Sequence, residues 1–387
     1  MDRKEKFVIP PYEVQKKDDG RSPKNTDLAI PAYSSAPNSM EDFIGANHIN
    51  VPYSLSGENC LVDGARMLRS LGSRTIKVYL ELYYKNRYAA NMNWSDKIES
   101  AADLAREECF AELFGMDFHT FVLGAYMWSD NWGNPATYFA KRFPDEAREK
   151  EYRDIYELTY YLCRTYAGTG KSFILQNWEG DWAVRSSHPD YTAADAYATP
   201  DALGRMIEWT NTRQDAVMAA RRDAGCEGVS VCHALEVNLI QIGIDGHPCV
   251  TKDVIPHTYC DFYAYSAYDT LMMTPKAFAG ALAYLRQMAG SNRTGGKSGL
   301  YIGEAGYPEV IYGAGEVQSR LSPSIDIARE MGYAHYLYWS IYDEPPAMGY
   351  WLLRPDGSRS VMWNELYKRL YGGADDPLYL ENMKIGN

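Results

Sequence analysis

Two glutamates in this chain stand where carboxylate chemistry could be done. Glu179 lies in the stretch Ser172 to Trp182, read as S-F-I-L-Q-N-W-E-G-D-W, where the apolar run Phe173 to Leu175 gives way to Gln176, Asn177, Glu179 and Asp181 between Trp178 and Trp182. Glu304 follows a second apolar run, Leu300-Tyr-Ile-Gly-Glu304-Ala-Gly-Tyr307, between Gly303 and Gly306, which let backbone approach closely. Short apolar runs of this kind suit strands buried on both faces. A lone acid after such a strand most often just reaches solvent. Two of them facing each other across one mouth, with flat aromatic rings beside them, are what cleavage of a glycosidic bond requires. One protonates the leaving oxygen and the other attacks the anomeric carbon, or activates water to do so.

The elements that would bring them together alternate regularly. Strands are expected at residues 43–50, 75–81, 117–126, within 172–182 around the run 173–175, and at 227–233, 261–268, 298–304 and 334–342. Helices are expected at about 60–71, 97–114, 145–166, 200–224, 275–288, 317–331 and 361–371, the first closed by Gly72 and the fourth opened by Thr199 and Pro200. Eight strand units in 387 residues predict an α/β fold, a single (β/α)8 TIM barrel, with an N-terminal extension at 1–40, the barrel at 41–373 and a tail at 374–387. In such a barrel the C-terminal strand ends converge on one face. The polar residues at those ends are Asn47, His48, Asn50, Asn177, Glu179, His233, Glu236, Asn238, Tyr265, Tyr268, Glu304, Trp339, Tyr342, Asp343 and Glu344.

Composition narrows the partners. The formal net charge of -12 disfavours nucleic acid and anionic membranes, while 32 tyrosines and 9 tryptophans suit a carbohydrate ligand. The first twelve residues carry charge with no apolar run behind them, so no signal peptide is read and a cytoplasmic protein, or a trimmed secreted form, is expected. The seven cysteines form no C-x-x-C pair and several fall in apolar runs, for which buried reduced thiols are the default. No H-E-x-x-H, H-x-H or G-x-S-x-G pattern occurs, and neither metal nor cofactor is expected. Gly168-Thr-Gly-Lys171-Ser172 imitates a phosphate loop but has Thr165 where the pattern needs glycine, and it opens a strand rather than a helix. Asn93-Trp94-Ser95 and Asn292-Arg293-Thr294 match the glycosylation acceptor pattern, which is common by chance.

A glutamate after strand four near an asparagine, a G-E-x-G glutamate after strand seven, tyrosine on strand six and tryptophan on strand eight together resemble clan A of the glycoside hydrolases, over about residues 43–371. The resemblance implies a retaining β-glycosidase with Glu304 as nucleophile and Glu179 as acid/base. It further implies Asn177 on the sugar 2-hydroxyl, Tyr265 or Tyr268 on the nucleophile and Trp339 as sugar platform. His48, Trp178, His233 and Asn238 are expected to line the substrate site. The clan usually has asparagine directly before the acid/base, whereas here Trp178 intervenes; Asp181 and, more distantly, Glu236 are the alternative acids. Burial and a negative neighbour would raise Glu179, and hydrogen bonds would keep Glu304 ionised. A catalytically silent sugar-binding barrel is the competing reading; a barrel lyase or isomerase would need a lysine, metal cluster or phosphate loop at strands seven and eight. The loops at 86–96, 127–144, 183–199 and 343–351, with Trp94, Trp128, Trp132, Tyr191 and Trp351, are expected to shape the cleft.

Overall fold

The computed structural model describes residues 39–126, 143, 145–186, 188, 190–296, 298–344 and 346–385. The N-terminal extension expected at 1–40 lies almost wholly outside them. Eight parallel strands close a barrel in sequence order: β1 (Ile44–Asn47), β2 (Thr75–Tyr79), β3 (Thr120–Gly124), β4 (Ser172–Gln176), β5 (Ser230–Val237), β6 (Phe262–Ser266), β7 (Gly299–Ala305) and β8 (Tyr336–Tyr338), with β8 pairing back onto β1. This is the (β/α)8 architecture that the alternation predicts.

Side chains alternate between two cores, as the period of two in a strand requires. Val122, Ile174, Cys232, Ala234, Phe262, Ala264, Tyr301 and Leu337 point inward and fill the barrel. Their strand neighbours point outward to the helices. Phe121 and Phe173, for example, stack at 5.2 Å between ring centroids, with Phe114 of the helix Glu108–Gly115 edge-on to both. Each fully buried large apolar side chain contributes about 1.5–3 kcal/mol, so the barrel is a stiff frame for whatever its rim carries.

The helix ends follow local chemistry. Asn59 accepts from Val62 N ahead of the helix Cys60–Leu71, and Gly72 closes it at φ 102°. Thr199 accepts from Ala202 N ahead of Pro200–Ala224. The single helix expected at 97–114 is instead two, Ala101–Leu104 and Glu108–Gly115; Arg106 N and Glu107 N bond to carbonyls three residues back and tighten the chain out of the α-helix. The segment after residue 373 carries a further helix, Pro377–Ile385. The glycine turn before β4 bonds to the start of β5 through Gly168 N to Glu227 O and Gly170 N to Gly228 O, at the N-terminal end of the barrel.

Two expectations need correction. Cys163 and Cys226 are not free thiols: they form a disulfide with Cα atoms 4.9 Å apart, joining the end of the helix Asp145–Thr165 to the residue beyond Gly225. The cysteines at 60, 109, 232, 249 and 260 are not in disulfides. Strand five, expected at 227–233, runs on to Val237, so Glu236 lies within the strand rather than beyond it. Asn292, in one glycosylation-like triplet, is buried, with its amide donating to Tyr263 OH and Ser298 Oγ.

Candidate active site

The inward-facing positions at the top of the barrel are polar, and they find one another. On β2, the alternation that turns Ile76 and Val78 outward turns Lys77 and Tyr79 inward. A lysine buried to zero exposure needs counter-charges, and Lys77 has two. Its Nζ lies 2.8 Å from Glu304 Oε1 and 3.1 Å from Glu236 Oε1. Glu236 comes from β5. Its Oε1 also accepts from Gln176 Nε2 of β4 at 2.6 Å, and Gln176 Oε1 accepts in turn from Tyr301 OH of β7.

Glu304 is aimed by an irregularity. Gly299, Tyr301 and Gly303 hold the inward positions of β7, and strict alternation would send Glu304 outward. The register shifts here against both neighbours: Tyr265 pairs with Ile302 but Ser266 with Glu304, and Ile302 pairs with Tyr336 but Ala305 with Tyr338. A bulge of this kind re-aims a side chain. Gly303 makes it possible, since a Cβ there would lie 2.5 Å from Glu236 Oε1.

Glu179 follows β4, and its backbone N donates to Glu236 Oε2 at 3.0 Å. Its side chain meets Glu304 across Ser266, the last residue of β6. The Ser266 hydroxyl lies 2.6 Å from Glu179 Oε1 and 3.4 Å from Glu304 Oε2. On its other oxygen Glu304 accepts from Lys77 and, at 3.3 Å, from Tyr79 OH. Burial, and then the negative charges of Glu304 and Glu236, hold the Glu179 carboxyl well above the usual carboxylate range. Burial also pushes Glu236 up to about 7, against the pull of Lys77. For Lys77 burial works downward, but the two carboxylates outweigh it and the ammonium is raised.

Above the pair opens a cavity of about 610 Å³, within the usual size of ligand sites. Trp178, Trp182, Trp339 and Tyr350 give it aromatic faces; Asn50, Arg87, Asn238, Asp269 and Glu344 give it polar ones. Asn50 bridges two of these, accepting from Arg87 Nη1 at 2.8 Å and donating to Glu344, while Arg87 also pairs with Glu81. The Trp339–Ser340 peptide bond is cis. Among the described residues no group of three or more His, Cys, Asp or Glu is placed to hold a metal ion, and no helix is long and apolar enough to cross a membrane.

No protein-family model matches the chain, and no curated protein sequence matches it. Solved structures do match its fold. A family 5 subfamily 18 glycoside hydrolase variant from Streptomyces cattleya, in complex with Manβ1-4GlcNAc, superposes with a TM-score of 0.57 at 13% identity, covering 89% of this chain and 82% of that one. An exo-β-1,4-mannosidase from Opitutaceae bacterium strain TAV5 gives 0.56 at 14% identity, covering 87% and 62%. A broad-specificity family 5 endoglucanase from Clostridium longisporum gives 0.56 at 10% identity, covering 88% and 100%. The chain has the fold of the clan A glycoside hydrolases.

On this barrel, the residues singled out from sequence divide into two groups. Glu179, Glu304, Trp178, Asn238, Tyr268 and Trp339 all line the cavity. His48, Asn177, His233 and Tyr265 do not. His48 follows the inward Asn47, so it turns outward, where its Nε2 lies 2.8 Å from Cys60 O against the helix beginning there. His233 and Tyr265 are outward for the same reason; His233 meets Arg213 and Tyr265 meets Asp269 and Thr270. Asn177 is clamped to β5, accepting from Glu236 N at 2.9 Å. Asp181 is likewise occupied, accepting from the backbone N–H groups of Asn238, Leu239 and Val250. Of the cleft aromatics, Trp94 packs on Tyr84 and Phe110, Tyr191 stands edge-on to the cavity residue Trp182, and Trp128 and Trp132 lie outside the described residues. Sequence reasoning missed Lys77, Tyr79 and Ser266. A usable signal existed for Lys77, a charge at an interior position of a strand that otherwise reads as fully buried.

Proposed function

We propose that the chain is a retaining β-glycoside hydrolase. The observation that carries this reading is the Ser266 hydroxyl, within 2.6 Å of one glutamate and 3.4 Å of the other. A single oxygen touching both carboxylates suits the spacing of about 5–5.5 Å used for retention better than the gap of about 6.5–9.5 Å that admits a water for inversion. In the first step Glu304 attacks the anomeric carbon, and Glu179, held protonated by burial and by its charged neighbours, gives its proton to the leaving oxygen. In the second step Glu179, now a carboxylate, takes a proton from water as the water attacks the same carbon and releases Glu304.

Other side chains have roles by position. Lys77 and Tyr79 donate to one oxygen of Glu304, which leaves the other to react. Trp339 offers a face for the sugar ring. Asn238 Oδ1 accepts from Asp181 N, which leaves its amide nitrogen for a substrate hydroxyl in place of the clamped Asn177. The test is turnover of aryl β-glycosides and β-linked oligosaccharides, with product anomers followed by NMR. The panel begins with mannosides and glucosides, suggested by the names of the structural neighbours. Retention supports the proposal. Inversion refutes the nucleophile assignment, and sugar binding without turnover supports a silent binding barrel instead.

A further inference from the structure

Lys77 has two carboxylate partners where one would be enough to hold a nucleophile. It is wholly buried, and so is Glu236. Glu236 is itself fixed from three sides: by Lys77, by the Gln176 amide at 2.6 Å and by the backbone N–H of Glu179 at 3.0 Å. All three are donors, an environment fitted to a carboxylate.

The second partner matters because the first one changes charge. This argument rests on the reading of Glu304 as nucleophile. When a Glu304 oxygen bonds to the anomeric carbon, the bond from that carbon to the leaving oxygen breaks and the Glu179 proton passes to that oxygen. The Glu304 carboxylate is then a neutral ester. A lysine paired with Glu304 alone would at that moment be a buried cation with no counter-charge, a strongly disfavoured state. Glu236 takes no part in the bond changes and remains 3.1 Å away. We propose that Glu236 is the standing counter-ion of Lys77, a positioning residue that keeps the buried ammonium paired and in place while Glu304 is esterified. The electrostatics run the same way. Burial, and then the charge of Glu304 set against the pull of Lys77, push the Glu236 carboxyl up to about 7. Esterification removes the charge of Glu304 and favours the ionised form of Glu236 when Lys77 needs it.

A double-mutant cycle on the first chemical step tests this. The rate of covalent adduct formation is measured by rapid quench and intact mass, using a 2-deoxy-2-fluoro aryl β-glycoside of whichever sugar the wild type hydrolyses. The proteins are the wild type, Glu236→Gln, Lys77→Met and the double variant. With Lys77 present, Glu236→Gln is expected to slow adduct formation by about 30-fold or more, and with Lys77→Met by less than about 3-fold, because there is then no cation to strand. Melting temperatures report folding separately. Equal slowing in both backgrounds, no slowing, or a fall in melting temperature without a change in rate overturns the counter-ion role. A wild type that hydrolyses with inversion and forms no adduct overturns the retaining reading and this inference with it. A wild type that forms the adduct but gives an additive cycle overturns the inference alone.

Discussion

Glu179 and Glu304 are both glutamates on the rim of one barrel, and their surroundings differ. Glu304 receives an ammonium and a phenol on one oxygen. Glu179 receives a serine hydroxyl and lies near two negative charges. On the proposed mechanism, Glu304→Gln is expected to lower kcat by roughly four orders of magnitude without loss of sugar binding, measured by steady-state kinetics and calorimetry. Glu179→Gln should cost about 10²–10⁴-fold on substrates with poor leaving groups and far less on activated aryl glycosides, since only the former need the proton. The pH profile follows from the raised Glu179. In the proposed role the acid must be protonated to work, so activity is expected to be lost as pH rises through its elevated ionisation. The alkaline limb should therefore lie well above the ordinary carboxylate range, and should shift or flatten for a leaving group that needs no acid. An alkaline limb at the normal position of a glutamate would contradict the assignment.

At the scale of the element, the decisive feature is the irregular end of β7. Its two register shifts turn Glu304 into the barrel mouth, and Gly303 gives Glu236 the space to lie beneath. Gly303→Ala should therefore act on both stability and activity. The added methyl would overlap Glu236 Oε1, an overpacking that typically costs about 1–3 kcal/mol, and relief by movement would displace the carboxylate. Denaturant unfolding and kcat on the same sample check this. The Cys163–Cys226 bond ties the ends of two long helices that pack on each other outside β5. Cys163→Ser is expected to lower unfolding free energy by about 2–4 kcal/mol while leaving the cleft chemistry in place, as it lies at the opposite end of the barrel from the site. Equal stability of the variant and the oxidised wild type would count against the bond.

At the scale of the whole molecule, burial outside the site leaves its own mark on pH. The His48 ring is pressed between β1 and its helix, and burial pulls it down from 6.5 to about 4. Its folded-state value is depressed, so the unfolded chain binds the proton more readily between those limits. Stability from this group is complete above about 6.5 and is lost as pH falls toward 4. At full burial this amounts to about 3 kcal/mol. His48→Gln should therefore gain on the wild type as pH falls through that window, read as the difference in melting temperature; a difference independent of pH would refute the assignment. The sequence by itself determined the barrel. Alternating apolar runs and helical faces, with Thr199 and Gly72 at helix ends, are local patterns, and eight repeats of them have few closed solutions. It also placed Glu179 and Glu304 at strand exits on one rim. Tertiary structure alone decided which of their neighbours face the cavity. A strand's side chains alternate, so a one-residue difference in where it bends separates the inward Asn47 from the outward His48, and the extension of β5 to Val237 brings Glu236 inside. Lys77 and Ser266 are far from both glutamates in sequence, and only closure of the barrel, which sets β2, β4, β5, β6 and β7 around one axis, gathers them into a single hydrogen-bonded cluster.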